Sequence, residues 1–332
     1  ALAAGHAEAT ICDREATPPE ALPDFNDAAW EVVDAPHDLQ VAAAPSQDQH
    51  EHHAFVPFSS GWYRKHFAVP EAWRGSAVWV YFEGIYHRSS LWLNGASLGT
   101  HANGYTSFWH RLDTMPLKFG SGAGNQNVLA IYVNASFGTE WWYQGGGLFR
   151  HQQLVRAPRV HLAPDRSWAR AEMGGATISA DGDSPAAGLS AVGVAFAAEA
   201  TVLNTLAKAV QAHVDVVFTR SDNGSEAARA SSQAQTVEGG SRVQLFARVP
   251  VADRVLLWSV ASPFLYNAKL QVIVDGQAVD EQEVSFGARS IRVDAETGLW
   301  LNERSVKLRG FCDHSSFGAL GAAVPDRVNL FR

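Results

Sequence analysis

Apolar side chains return every second residue over most of this chain, in short runs, and that period admits little besides antiparallel β architecture. Val78, Val80 and Phe82 alternate with Trp79 and Tyr81, and Leu129, Ile131 and Val133 alternate with Val128, Ala130 and Tyr132. A strand sends successive side chains to opposite faces, so large residues in both registers imply strands packed on both sides. Asn94-Gly95 sits between the apolar runs Leu91-Trp92-Leu93 and Ala96-Ser97-Leu98. Both residues tolerate positive φ, which predicts a tight hairpin there. Gly120-Ser121-Gly122-Ala123-Gly124-Asn125 predicts a loop, because so many glycines lose too much backbone entropy inside an element. Residues 191–218 pull two ways, since their alanines favour helix while Val214, Val216 and Phe218 alternate. Strand is the expectation. A polar run over 220–240 follows, and strands are expected to resume near 243–249 and 270–274. Proline and charge interrupt the pattern near 158–165 and a second break falls near Ser285, so domain boundaries are expected there. No repeat of fixed period points to a propeller or solenoid.

The length of 332 residues predicts two or three domains, and 46% hydrophobic with 18% charged residues suits a folded chain. Lys plus Arg total 26 against 34 Asp plus Glu, a formal charge of −8, which offers no basic footprint for a phosphate backbone. Nucleic acid is not an expected partner. No apolar run reaches the roughly 18 residues that cross a bilayer, and residues 1–10 show neither a basic region nor an apolar one. No membrane partner is expected, and the compartment is left open. Cys12 and Cys312 stand far apart without neighbours, so neither a CxxC metal clip nor a disulfide framework is available. Asn134-Ala135-Ser136 and Asn223-Gly224-Ser225 fit the glycosylation triplet, which chance supplies once or twice in such a length.

Eight of the eleven tryptophans precede residue 150. Such rings stack on sugars, although filling a sandwich core is the commoner use of any single one. In Trp141-Trp142-Tyr143 two adjacent indoles cannot both face a core if the segment is extended, and Gly145-Gly146-Gly147 behind them suggests a bend or a close backbone approach. His50-Glu51-His52-His53 has no ligand spacing that would hold a metal, and a solvated loop is expected. No glycine-rich phosphate loop and no Gly-x-Ser-x-Gly turn occurs, so serine hydrolysis and phosphoryl transfer have no support.

Toward the carboxyl end, Phe286-Gly287-Ala288-Arg289, then Leu301-Asn302-Glu303-Arg304, then Leu308-Arg309-Gly310-Phe311 with His314 shortly after, resembles the barrel entry of glycoside hydrolase family 2. The continuation Phe317-Gly318-Ala319-Leu320-Gly321 is similar to the β-galactosidases of that family. Upstream, Trp30 with Pro36-His37-Asp38, then Gly61-Trp62-Tyr63-Arg64-Lys65-His66-Phe67, then Asn103-Gly104-Tyr105 and Gly146-Gly147-Leu148-Phe149-Arg150 resemble the family's sugar-binding domain in order and spacing. Trp258-Ser259 with Pro263-Phe264-Leu265-Tyr266 resembles the end of its immunoglobulin-like domain.

The resemblance implies a mainly β chain with a jelly-roll β-sandwich over 1–160 and an immunoglobulin-like β-sandwich over 161–285. The first strand of a (β/α)8 barrel, expected at residues 306–310, and the start of a helix would then fall within 286–332. It implies the amino-terminal part of a retaining exo-β-glycosidase with a carbohydrate, a β-galactoside or a relative, as partner. Retaining glycosidases place two carboxyl groups about 5 Å apart. In the family these are glutamates on later barrel strands, and a barrel takes about 250 residues. The pair is therefore expected beyond Arg332, no catalytic residue is assigned here, and Asp38, Glu83 and Glu140 fall outside the family's acid and nucleophile motifs. His314 matches a histidine that hydrogen-bonds sugar hydroxyls in the family. Arg309 and Asp313 flank it as substrate-binding candidates, with Asp313, Ser315 and Ser316 departing from the usual wording. No metal ligand and no cofactor is expected in this stretch, metal dependence being a question for the full-length family. The alternative is a stand-alone carbohydrate-binding or interaction module. An unpaired barrel strand argues against it, since that strand would expose apolar surface and two open edges, leaving 286–332 poorly protected or self-associating.

Overall fold

The structure is a computed structural model that describes residues 2–4, 17–138, 141–180, 188–314 and 316–331. Cys12, Glu140 and Ser315 lie outside the described residues. Two compact units form, Ala1–Arg156 with Cys312–Arg332, and Ala157–Phe311.

The first unit carries β1 (Leu2–Ala4), β2 (Ser59–Phe67), β3 (Ala77–Phe82), β4 (Arg88–Leu93), β5 (Ala96–His101), β6 (Phe108–Arg111) and β7 (Asn127–Ala135), with β8 (Gln152–Ala157) at its edge. One sheet runs β1-β2-β7-β4-β5 and the other β6-β3-β8. The period-two pattern explains how they pack. Val78, Val80 and Phe82 of β3 share one buried cluster with Leu91, Leu93, Leu129 and Ile131 from the five-stranded sheet. The opposite register of that sheet, Trp62, Trp92, Ala130 and Tyr132, buries a second cluster with Ala21. Strand β7 is thus covered on both faces, as its two apolar registers require. Under the second face Arg64 is also buried, its charge balanced by Asp27 at 2.8 Å. The Asn94-Gly95 hairpin joins β4 to β5 with φ of 51° and 85°. Gly95→Ala is expected to destabilise this unit by about 1–2 kcal/mol through left-handed strain alone. A Cβ there would make only ordinary van der Waals contacts, the nearest with Leu22 and Pro23 at 3.5 and 3.6 Å, so a thermal melt indistinguishable from wild type would contradict the strain argument.

The second unit begins with β9 (Val160–Glu172), β10 (Thr177–Ala180), β11 (Leu189–Val192), β12 (Ala195–Asn204) and β13 (Val210–Arg220). It continues with β14 (Glu226–Ser231), β15 (Gln235–Val237), β16 (Arg242–Pro250), β17 (Val255–Leu257), β18 (Tyr266–Val274) and β19 (Gln277–Phe286). Sheets β16-β12-β9 and β14-β13-β18-β19 face each other across Phe196, Val202, Val214, Val216, Phe218, Leu270 and Val272. The alanine-rich 195–200 stretch is strand despite its helix propensity. It is the centre of its sheet, hydrogen-bonded on both sides, and its small side chains let the layers close. Tyr266, 2% exposed at the start of β18, takes the Leu256 amide on its hydroxyl at 2.9 Å, a tie of the kind that corners immunoglobulin-like sandwiches. The polar run 220–240 is not merely a connection: it holds β14 and β15, which pair with β13.

After Phe286 the chain forms an antiparallel sheet of β20 (Ile291–Asp294), β21 (Gly298–Leu301) and β22 (Arg304–Val306). Its turn residue Asn302 is buried, accepting from the Ser290 amide at 2.9 Å and donating to the Trp258 carbonyl at 2.9 Å. The strand expected over 306–310 is therefore not formed as such. Val306 ends an antiparallel strand opposite Leu299, residues 307–310 have no regular structure, and Leu308 is 76% exposed. A short helix, Asp326–Phe331, is the last described element, and no closed barrel is present among the described residues.

Candidate functional site

A buried carboxylate organises one end of the first unit. Residues 37 and 39 pair with the strand-like stretch 146–148, His37 N donating to Leu148 O and Leu39 N to Gly146 O, both at 2.7 Å. Between them Asp38, 2% exposed, accepts four hydrogen bonds. Oδ1 takes the amides of Gln40 at 3.0 Å and Gly146 at 3.2 Å, while Oδ2 takes the Tyr143 hydroxyl at 2.9 Å and the Ala322 amide at 2.8 Å. Every donor points at the charged form, so the buried charge is solvated by the protein itself. Crowding makes glycine obligatory beside it. Gly145 and Gly321 hold φ of 70° and 63°, and a Cβ on either would stand 2.4 or 2.2 Å from Asp38 Oδ2. The close approach suggested by three consecutive glycines is real.

Tyr143 connects this carboxylate to the residues before it. Its ring stacks on His53 with centroids 4.7 Å apart, and His53 stacks in turn on Phe58 at 4.0 Å. This corrects the expectation for residues 50–53: Glu51–His53 is a turn of 3-10 helix, and His53 is 2% exposed rather than solvated. The apolar rings on either side bury it, which polarity alone could not foretell. Among the described residues no group of three or more His, Cys, Asp or Glu is placed to hold a metal ion. Burial lowers the His53 and His37 imidazoles below their ordinary range and pushes the Tyr143 and Tyr63 phenols up, Tyr143 with help from the Asp38 charge. Tyr63 meets His37 Nδ1 at 2.9 Å.

Ahead of Tyr143, Trp141 is 69% exposed and Trp142 turns its ring to His314, with centroids 4.9 Å apart and planes at 39°. His314 is half-buried, and its Nε2 lies 3.8 Å from the exposed Cys312 thiol. Asp313 is exposed beside it. Arg309 belongs to the second unit and is exposed in the irregular stretch after β22. Both halves of the Trp142–His314 contact are tied to Asp38. Tyr143 adjoins Trp142, and Ala322 follows His314 in a segment whose Ala322 and Ala323 are buried with Tyr86, Ala135 and Phe149. The sequence marked Trp142 and His314 separately, by composition and by resemblance; nothing local in it pairs them. Glu83 pairs with His151 at 3.3 Å elsewhere in the unit. An indole beside an imidazole with exposed polar neighbours can stack a sugar ring and hydrogen-bond its hydroxyls.

Residues 195–289 match Glycosyl hydrolases family 2. Over 312 residues the chain is 31% identical to the beta-galactosidase BoGH2A of Bacteroides ovatus, covering 93% of this chain and 34% of that protein. A beta-glucuronidase of Formosa agariphila is 24% identical over 325 residues, covering 92% of this chain and 32% of its own length. The chain thus spans about a third of these curated relatives. Among solved structures a beta-glycosidase from Bacteroides vulgatus superposes with a TM-score of 0.75 at 27% identity, over 94% of this chain and 37% of that one. Similarity to these proteins along nearly the whole chain, with the family match falling on its second sandwich, places the chain in glycosyl hydrolase family 2 as part of such a protein.

Proposed function

We propose that this chain is the sugar-recognising β-sandwich part of a family 2 exo-β-glycosidase of β-galactosidase type. Trp142, His314 and Asp313 contribute to its sugar-facing surface, and Arg309, in the second unit, is a separate candidate for contact with substrate. The observation that carries the reading is the Trp142–His314 contact, an aromatic face set against a hydroxyl-binding group at the position where the family resemblance expects one. The relatives named above split between galactosidase and glucuronidase, and the barrel-entry wording favours the first. Hydrolysis needs a carboxyl pair with one member raised by its surroundings. Asp38 is committed to four donors, and Asp280, which burial raises, accepts the Leu162 amide at 2.8 Å in the second unit. Both are structural, and neither is placed to act as acid or nucleophile. Leu308 and Phe311, 76% and 102% exposed, offer apolar surface for self-association or for further barrel elements.

Calorimetric titration of the 332-residue chain with a β-galactoside is expected to show weak binding that Trp142→Ala weakens about tenfold, the equivalent of about 1.4 kcal/mol. Nitrophenyl β-galactoside, β-glucuronide and β-mannoside should not turn over. Cleavage that disappears when one carboxylate of this chain is changed to its amide would overturn the division of labour proposed. Binding indifferent to Trp142→Ala would overturn the site.

A further inference from the structure

His53 is a buried group whose role nothing above uses. Its Nδ1 lies 2.9 Å from the Val56 carbonyl, which can only accept, so the neutral ring carries its proton on Nδ1. That leaves Nε2 bare, buried and without a hydrogen-bond partner. A second proton would have to go there, creating a donor and a charge with no acceptor in reach. The faces of Phe58 and Tyr143 would attract that cation, but both are already in contact with the neutral ring, and burial of the charge opposes them. The ionisable groups acting on His53 are Asp38, which favours protonation, and His50, which opposes it. Asp38 is turned to its own four donors, one of them the hydroxyl of the tyrosine stacked on His53. Glu51 and His52, on the same turn, are exposed.

We propose that His53 is a positioning residue for the Trp142–His314 pair: in its neutral form it braces Tyr143 against Asp38, and protonation in mild acid releases Tyr143 and with it Trp142. The chain of contacts is continuous. His53 stacks on Tyr143, Tyr143 donates to Asp38, and the next residue back is Trp142, whose ring meets His314. Asp38 also holds the Ala322 amide, so the segment carrying His314 is moored to the same carboxylate. The sign follows from the burial. A histidine that resists protonation when folded binds fewer protons than it does unfolded. Its bracing is complete above the ordinary histidine range and fails as the pH falls below it, through the lowered value that burial imposes.

The proposal rests on the sugar-facing reading only for its consequence in binding, and the test separates the two. The full chain is labelled with 5-fluorotryptophan, the Trp142 resonance is assigned with Trp142→Phe, and the resonance is followed from pH 8 to pH 5. The wild type is expected to show an acid step, on the low side of the ordinary histidine range, that His53→Phe abolishes while keeping an aromatic stack. Tyr143→Phe, which loses only the hydroxyl to Asp38, should move the resonance at pH 8 toward its acid position. His53→Gln serves if His53→Phe does not fold, judged by circular dichroism at pH 8. A resonance whose every acid step survives in the His53 variant would overturn the proposal. Titration with a β-galactoside at both ends of the range gives the second readout, with at least tenfold weaker binding at pH 5 in wild type and no such loss in the His53 variant. An acid step lost in His53→Phe, with no sugar bound at any pH, would uphold the positioning and refute the carbohydrate reading. Sugar binding equal at pH 8 and pH 5 without the step would do the reverse.

Discussion

Replacing Asp38 by alanine is expected to cost the first unit about 3–5 kcal/mol, through the buried donors it leaves without an acceptor. Four donors, the amides of Gln40, Gly146 and Ala322 and the Tyr143 hydroxyl, lose their acceptor together. Each buried donor left unmade costs about 1–3 kcal/mol. The total stays below the simple sum because water can enter the space left and because removing a carboxylate also removes its desolvation cost. Asparagine is the discriminating variant. Its carbonyl oxygen can keep two donors, but its amide nitrogen would face an N–H or O–H, so a loss of about 2 kcal/mol is expected. Urea denaturation of the three proteins, followed through hydrogen exchange at amides of the first unit, orders them. Alanine and asparagine variants both within about 0.5 kcal/mol of wild type would mean that the junction is solvated.

Phe196→Ala should remove about 4–5 kcal/mol from the second unit and leave the first unaffected. Phe196 is 0% exposed and its ring meets Phe218, Tyr266 and Phe286 at centroid distances of 5.3, 4.9 and 5.1 Å. Truncating a buried phenylalanine costs about 3–5 kcal/mol through lost transfer energy and the cavity left behind. The upper part of that range applies here because the three neighbours sit on β13, β18 and β19, whose ladders cannot shift to fill the space. Aromatic pairing adds about 0.5–1.5 kcal/mol for each pair that is not replaced. Leucine, which keeps most of the volume, should cost about 1–2 kcal/mol. Hydrogen exchange in the alanine variant is expected to accelerate across β12, β13 and β18 while β2, β4 and β7 keep their protection. Equal acceleration in both units would contradict independent cores.

Much of the fold is legible because it is written in nearest neighbours. The paired registers of β7 predict burial on both faces, and Asn94-Gly95 predicts its hairpin, since both depend on residues within a few positions of each other. Edge strands were harder. In β14 the inward side chains Ala227, Ala228 and Ala230 are only half-buried and too small to mark a period against their polar neighbours, so the stretch reads as loop. Residues 306–310 are expected as strand only through the family resemblance, which supposes neighbouring barrel strands. Among the described residues no strand lies alongside them, and without a partner their amides and carbonyls gain nothing from extension.

The sequence by itself determined an antiparallel β chain with two sandwich cores and the family to which it belongs, because period, turn chemistry and motif order are local properties. Only the tertiary structure decided what Asp38 and His53 do. Three of the four donors to Asp38 come from residues 105, 108 and 284 positions away, and no local pattern records which distant group will arrive. His53 closes a polar run in sequence, yet in space its ring lies between the nearby Phe58 and the distant Tyr143. Its burial, and the suppressed protonation that follows from it, is a property of packing and not of composition.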